Sequence, residues 1–421
     1  MRVFVNDKAV DVPRGARVRD AVAQADDGLA RLLDDGGAAY VTDAAGRTID
    51  SGDAVGEAGS VYRVVVSARR EAKPRLSKET LRRWPKAELH VHLDGALRPA
   101  TMLELARAQG IRLPADTPDE LAKAMLVRDA KNLEEYLQKY VITLSVLQTA
   151  AALERVAYEF VVDKAAENVR YVEVRYSPLL HRPALTLAQA IEAPPAGIRR
   201  AVAETGTRVG LIVCAMRTKP PAESLELARV AAEYRSAGVT AFDLAGAERG
   251  FPARDHRAAF EYAAGHGMAC TCHAGEGDGP HSIHQALHEV GAQRIGHGTR
   301  LAEDPALLEE VVARKVPLEM CLTSNVHTHV VPAVAQHPFR RYFQQGVVVT
   351  LNTDGPLTDG ITLTDEYFVA HTVLGLSADE LQRVVLNACE SAFLPEYEKV
   401  ALVSRVQSEL DELGGRGGGA P

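Results

Sequence analysis

The sequence predicts an α/β protein, a (β/α)8 TIM barrel preceded by a small α+β unit. Short β-branched runs alternate with longer stretches rich in Ala, Leu, Glu and Arg, the signature of βα repeats around a parallel sheet. Eight such runs lie between Glu88 and Asp354. Their span of about 270 residues suits a single barrel, for which ~250 residues is typical. The chain has 421 residues, so the barrel leaves material for an addition.

That addition comes first. An alternating strand at Arg2 to Val5 meets a turn at Asn6-Asp7, then a second strand near Ala9 to Val12 and a helix near Val18 to Ala25. Strands near Ala39 to Thr42 and Val61 to Ser67 follow. This β-β-α-β-β order over residues 1–70 resembles the ubiquitin-like β-grasp fold, in particular the small sulfur-carrier proteins of thiamine and molybdopterin synthesis. Such carriers need a free C-terminal Gly-Gly, whereas here Val66-Ser67-Ala68-Arg69-Arg70 runs on into more chain. Sulfur carriage is thereby disfavoured, and homo-oligomerisation or partner docking remain as roles for the unit.

Residues 71–85 (EAKPRLSKETLRRWP) read as a charged linker with a short helix after Ser77. The barrel is assigned to residues 86–412. Its strands are Glu88 to Asp94, Val169 to Ser177, Arg208 to Met216, Val239 to Ala245, Met268 to Ala274, Arg294 to His297, Pro317 to Thr323 and Val347 to Asp354. Residues 413–421, which include GGRGGGAP, cannot bury apolar surface to offset chain entropy and read as a disordered tail.

Composition excludes some function classes. At 46% hydrophobic and 25% charged residues the chain is an ordinary globular protein. A formal net charge of -8 offers no basic field for a phosphate backbone, so nucleic acid is not the expected partner. The N-terminus lacks a signal peptide's apolar region, and no run of about 18 uncharged apolar residues occurs, so no membrane association is expected and a cytoplasmic setting is the default. The cysteines, Cys214, Cys270, Cys272, Cys321 and Cys389, form no CxxC pair and read as reduced packing residues. Cys270 and Cys272 share one strand face and His273 points to the other.

In a TIM barrel, chemistry gathers where strands end at the C-terminal face. Those ends are strongly polar here. The first run carries His90 and His92 with Asp94 after them, the fourth ends in Asp243-Leu-Ala-Gly246, the fifth in His273-Ala-Gly-Glu276, the sixth in His297 and the eighth in Asp354. Strand alternation puts His90 and His92 on one face, about 6 to 7 Å apart along the axis. Three imidazoles with one carboxylate form a ligand set that suits zinc and leaves a position open for water. Acidifying that water toward neutral pH is the usual purpose of such a site.

These same segments resemble the adenosine deaminase family. They are Ala87-Glu-Leu-His-Val-His-Leu-Asp-Gly-Ala96, Tyr171-Val-Glu-Val-Arg-Tyr-Ser-Pro178, Asp243-Leu-Ala-Gly246, His273-Ala-Gly-Glu276, Arg294-Ile-Gly-His-Gly298 and Leu351-Asn-Thr-Asp354. The resemblance runs from about Lys86 to Val406, with order, spacing and strand placement all agreeing. It implies hydrolytic deamination of a 6-aminopurine nucleoside, adenosine or deoxyadenosine first, with one Zn2+ per chain held by His90, His92, His273 and Asp354. It further implies that Glu276 donates a proton to ring nitrogen N1 and that Asp354 accepts a hydrogen bond from the attacking water. His297 would orient that water, with a role as fifth ligand as the runner-up. Gly246 would offer its N–H to N3, and Asp94 would bind the ribose 5'-hydroxyl.

One departure stands out. The family usually has a second aspartate directly after the metal aspartate, contacting N7, and this chain has Gly355 there. Asp359 is close in sequence. Ala247 is a smaller departure, standing where relatives often have an acidic residue. The missing aspartate and the added N-terminal unit motivate an alternative, deamination of a modified adenosine-type compound in secondary or cofactor metabolism. A two-metal amidohydrolase is less favoured because no strand end offers a bridging lysine, and an inactive zinc-binding module requires a missing catalytic group where none is missing.

Overall fold

The structure, a computed structural model, describes residues 1–34, 39–44, 48–66, 76–127 and 130–415. The chain divides into two compact units, Met1–Arg75 and Leu76–Pro421.

In the first unit, β1 (Arg2–Val5) and β2 (Lys8–Asp11) form a hairpin. Its two turn residues, Asn6 and Asp7, have φ of 46° and 65°, the left-handed pair whose twist matches flanking strands. Strands β3 (Ala39–Asp43), β4 (Thr48–Ile49) and β5 (Val61–Val66) complete a sheet of order β2-β1-β5-β3-β4. Within it β1 and β5 are parallel and the other pairs antiparallel. Val3, Val5, Val10, Val18, Val22, Val41 and Val64 give the unit its own core. Two elements exceed the sequence reading: β4, and a second helix over Asp27–Asp34 after the expected Val18–Ala25. Asp26 causes the break. Its backbone is extended and its carboxylate accepts the N–H groups of Gly28 at 2.9 Å and Leu29 at 3.2 Å, capping the second helix. Ser67, which ended the expected last strand, lies outside the described residues, as does the rest of 67–75.

The second unit opens with the short helix expected after Ser77, whose hydroxyl accepts the Thr80 N–H at 3.0 Å to start Lys78–Arg83. Eight parallel strands follow: β6 (Lys86–His92), β7 (Val169–Tyr176), β8 (Arg208–Met216), β9 (Val239–Ala245), β10 (Ala269–Ala274), β11 (Arg294–His297), β12 (Leu318–Met320) and β13 (Val349–Leu351). They neighbour one another in chain order. A parallel bridge between Val91 and Asp354 brings the last strand back to the first. There the His92 N–H donates to the Asp354 carbonyl at 2.7 Å and the Asp354 N–H to the His90 carbonyl at 3.1 Å. This is the expected (β/α)8 barrel, and its closure sets Asp354 against His90 and His92.

Three strands end two or three residues before the sequence reading. The first stops at His92 because Leu93–Gly95 turns into a 3-10 helix, which carries Asp94. The seventh stops at Met320 because the Leu322 and Thr323 N–H groups donate to the buried Glu366 carboxylate, which starts the helix Leu322–His327. The eighth stops at Leu351, after which the Asn352 side chain, not a backbone ladder, accepts the N–H groups of Leu89 and His90. At the far end the helix Glu396–Gly415 includes residues 413–415, and 416–421 lie outside the described residues. All five cysteines are free and buried, and Cys270 and Cys272 belong to the barrel's hydrophobic cluster. Among the described residues no helix is long and apolar enough to cross a membrane.

Candidate active site

At the C-terminal face of the barrel, His90, His92, His273 and Asp354 each offer one ligand atom, and these atoms lie within 4.8 Å of one another. His92 Nε2 faces His273 Nε2 at 3.1 Å, and Asp354 Oδ1 stands 3.5 Å from His90 Nε2 and 3.3 Å from His92 Nε2. Burial pushes the pKa values of His92 and His273 down, so these imidazoles are neutral and their lone pairs are available. The His90 Nε2 is buried without a hydrogen-bond partner. Converging lone pairs beside a carboxylate fit one cation, which would satisfy every one of them.

Carboxylates behind the cluster fix how the imidazoles point. Glu319 holds His90 Nδ1 at 2.9 Å and Asp243 holds His273 Nδ1 at 3.2 Å, leaving both Nε2 atoms turned to the centre. The buried guanidinium of Arg175 joins these carboxylates, donating to Asp243 at 2.9 Å and to Glu319 at 2.7 Å. Burial disfavours the charge on each carboxylate, but their cationic neighbours outweigh it and keep both pKa values well below the usual range. Ser324 donates to Asp354 Oδ2 at 2.6 Å, which leaves Oδ1 for the cluster. Glu319, Ser324 and Arg175 had no role in the sequence reading. A signal for Glu319 and Arg175 was present, a charged residue inside a buried strand.

Glu276 and His297 sit beside this cluster, with His297 Nε2 3.5 Å from Glu276 Oε2. Burial, then the charges of Asp354 and Glu248, raise the Glu276 pKa well above the carboxylate range, so it holds its proton. Its Oε1 has no partner. Asn325 Nδ2 stands 3.1 Å from His297 Nδ1, while Asn325 Oδ1 receives Thr299 Oγ1 at 2.8 Å and faces His337 Nε2 at 3.2 Å. The network therefore places the His297 proton on Nε2, toward the site. Both His297 (φ 62°) and Asp354 (φ 60°) are left-handed, uncommon for residues other than glycine. Such backbone gathers at functional sites. His297 also forms a second close group with Cys321 and Asp354. Glu248, beside Ala247, accepts the N–H groups of Gly275 at 2.7 Å and Glu276 at 3.0 Å, and so shapes the turn that carries Glu276.

A cavity of about 220 Å³ opens over these groups. Asp94, Gly246, Glu276, His297 and Asp354 line it, with Leu133, Leu137, Leu144 and Met216 as apolar wall. Burial pushes the Asp94 pKa up to about 7. Gly246 has φ +95°, and a Cβ there would meet Met216 Cε at 3.0 Å, so only glycine keeps that wall open. Asp359 is turned elsewhere. One of its oxygens takes His327 Nδ1 at 2.7 Å and the other the Tyr136 hydroxyl at 3.0 Å. A larger groove of about 830 Å³, bordered by Thr240, Gln293 and Phe393, contains none of these groups.

The adenosine deaminase family profile matches residues 85–409. An adenosine deaminase of Klebsiella pneumoniae subsp. pneumoniae is 40% identical over 327 residues, which are 76% of this chain and 97% of that protein. A relative from Dictyostelium discoideum is 37% identical over 334 residues, or 78% of this chain, and the match spans only 43% of its own length. Among solved structures, the adenine deaminase of Arthrobacter aurescens superposes with a TM-score of 0.71 at 29% identity, covering 78% of this chain and 99% of that one.

Proposed function

The chain belongs to the adenosine deaminase family and is a hydrolytic deaminase of adenosine-type compounds; from that premise we propose that its own substrate is an unphosphorylated 6-aminopurine nucleoside, adenosine or deoxyadenosine first. One observation carries the choice. The described cavity lining includes Asp94 and no lysine or arginine. A 5'-phosphate would meet a carboxylate there and no cation, whereas a 5'-hydroxyl can hydrogen-bond to it.

Enzymes of this family use one zinc ion, and we assign it to His90, His92, His273 and Asp354, whose converging atoms, the unpartnered His90 Nε2 among them, fit a cation. Bound there, zinc acidifies water and supplies the nucleophile. The protein's own residues do the rest. The protonated Glu276 donates to N1, which makes C6 electrophilic. His297 presents Nε2–H to the attacking oxygen, and Asp354, anchored through Ser324, accepts a hydrogen bond from it. Gly246 offers its backbone N–H to N3. Oxygen bonds to C6 and the C6–N6 bond breaks; one proton of the water leaves with the amine as ammonia, and the other restores Glu276, whose own proton stays on N1.

Gly355 favours a second reading, a modified adenosine-type compound of secondary or cofactor metabolism, because it offers the base no carboxylate. Purified protein should be offered adenosine, deoxyadenosine, adenine, AMP and aminofutalosine, with ammonia release as the readout. Turnover of the two nucleosides and none of AMP supports the main reading; inertness toward all five ends both.

The free, buried cysteines support a cytoplasmic setting. For residues 1–70 we keep the β-grasp-like reading, supported by the mixed sheet order of this unit. Deleting them and measuring activity and molecular mass separates homo-oligomerisation from partner docking.

A further inference from the structure

Two glycines at the mouth of the barrel are required by one hydroxyl group. A Cβ at Gly95 would lie 2.7 Å from the Tyr140 hydroxyl, and a Cβ at Gly355 would lie 2.5 Å from it. At Gly355 the added carbon would also meet Thr358 Oγ1 at 2.3 Å and the Tyr136 hydroxyl at 2.8 Å. The space next to Asp354 that a side chain at 355 would need is thus already filled with oxygen atoms. The tyrosines come from the helix Leu133–Val146, spaced four residues apart, and both border the cavity.

The protons of this group can be followed. The Thr358 hydroxyl donates to the Gly355 carbonyl at 2.9 Å, and the Tyr136 hydroxyl donates to Asp359 Oδ2 at 3.0 Å. Tyr136 is then left as the acceptor for Tyr140, to which it is hydrogen-bonded. The Tyr140 proton is thus held by a neutral phenol oxygen and by no carboxylate, so a ligand nitrogen can take it over by a turn of the hydroxyl. Burial, followed by the nearby charge of Asp354, keeps the phenol protonated.

Position decides which ligand atom it meets. The His92 ring is 6.2 Å from that of Tyr140, while His297 is next to Glu276. His90 and His273 stand between these flanks, each within 5.5 Å of both His92 and His297 by ring centroids. Tyr140 thus borders the cavity on its His92 flank and Glu276 on its His297 flank. In a 6-aminopurine, C6 is likewise flanked by N1 on one side and by the C5–N7 edge on the other. N7 carries only a lone pair and needs a donor.

We propose that Tyr140 is a specificity-determining residue whose hydroxyl donates to N7 of the base in place of a side chain at position 355. The proposal rests on the 6-aminopurine reading above and on Glu276 serving N1. Its hydroxyl selects a purine over a ring with carbon at that position.

The test uses two competitive inhibitors that cannot be deaminated and differ at one atom, 1-deazaadenosine and 1,7-dideazaadenosine. With the wild-type enzyme, the loss of N7 should raise Ki about tenfold, the worth of one well-formed hydrogen bond. With Tyr140→Phe the two Ki values should agree within about twofold, the 1-deaza compound having weakened and the 1,7-dideaza compound having stayed. Equal Ki values in the wild type overturn the proposal even if the variant does not fold. An unchanged tenfold ratio in Tyr140→Phe, or equal weakening of both ligands, also overturns it. Adenosine turnover by the wild type, measured alongside, separates the cases: if it is present, only the Tyr140 assignment has failed, and if it is absent, the substrate reading has failed and this inference with it.

Discussion

The Asp243 carboxylate holds His273 Nδ1 at 3.2 Å and at the same time accepts from Arg175 at 2.9 Å. One buried group thus sets the direction of an imidazole and neutralises a guanidinium. In Asp243→Asn the imidazole keeps a neutral acceptor and loses the charge that raises its basicity. Metal affinity is expected to fall about 10- to 100-fold. Zinc per chain after dialysis against graded chelator checks this, and wild-type retention would show that Asp243 serves only Arg175.

Glu276 is assigned the proton that N1 receives. Glutamine has nearly the same shape and can still donate an N–H, but it cannot give up a proton. Glu276→Gln is therefore expected to lower kcat by about 10²- to 10⁴-fold, with zinc content and melting temperature unchanged. More than a tenth of wild-type kcat would remove Glu276 from the acid role.

How far the site could be read from the sequence depends on where each group comes from. His90, His92, His273 and Asp354 were legible because each falls near the end of a strand-like run, and barrel topology alone brings strand ends to one face. Glu319 and Arg175 lie on strands, so their charges were visible, but their partners lie far away along the chain. Tyr140 was hidden more deeply. On the helix Leu133–Val146 it reads as part of an apolar stripe, and only the closure of β13 onto β6 sets its hydroxyl against Gly355. The early ends of β12 and β13 escaped the sequence for a related reason, since Glu366 and Asn352 supply from side chains the acceptors that a longer ladder would have supplied.

Glu248 satisfies two buried N–H groups in the turn that ends in Glu276. Glu248→Ala leaves both without an acceptor, at an expected cost of about 2–4 kcal/mol. Glu248→Gln keeps one amide oxygen and should lose about half as much. Denaturant unfolding of the three proteins orders them, and an alanine variant as stable as wild type would mean that water replaces the carboxylate.

Stability should depend on pH through two buried histidines. Burial pushes His337 down to about 3 and His181 to about 4, whereas an unfolded imidazole titrates near ~6.5. Between these limits only the unfolded chain binds the proton, so their contribution is full above pH ~6.5 and is lost as pH falls, by about 1.4 kcal/mol per unit for each residue. Between pH 7 and 5, His337→Gln should therefore lose about 2 kcal/mol less than wild type. Parallel pH profiles of unfolding free energy would contradict the neutral His337 that holds Asn325 against His297.

Gly355 makes a steric prediction that does not depend on substrate. Its φ of -116° suits any residue, so the effect of Gly355→Ala comes only from the oxygens that the new methyl group would meet. Overpacking of this kind costs about 1–3 kcal/mol. Gly265 is the control, since a Cβ there meets nothing within 4 Å and its backbone is not left-handed; Gly265→Ala should stay within about 0.5 kcal/mol of wild type. Removing the Tyr140 hydroxyl removes one of the three clashes, so the double variant Gly355→Ala, Tyr140→Phe should be more stable than the sum of the single effects allows. Strict additivity would mean that Thr358 and Tyr136 alone fill the space beside Asp354.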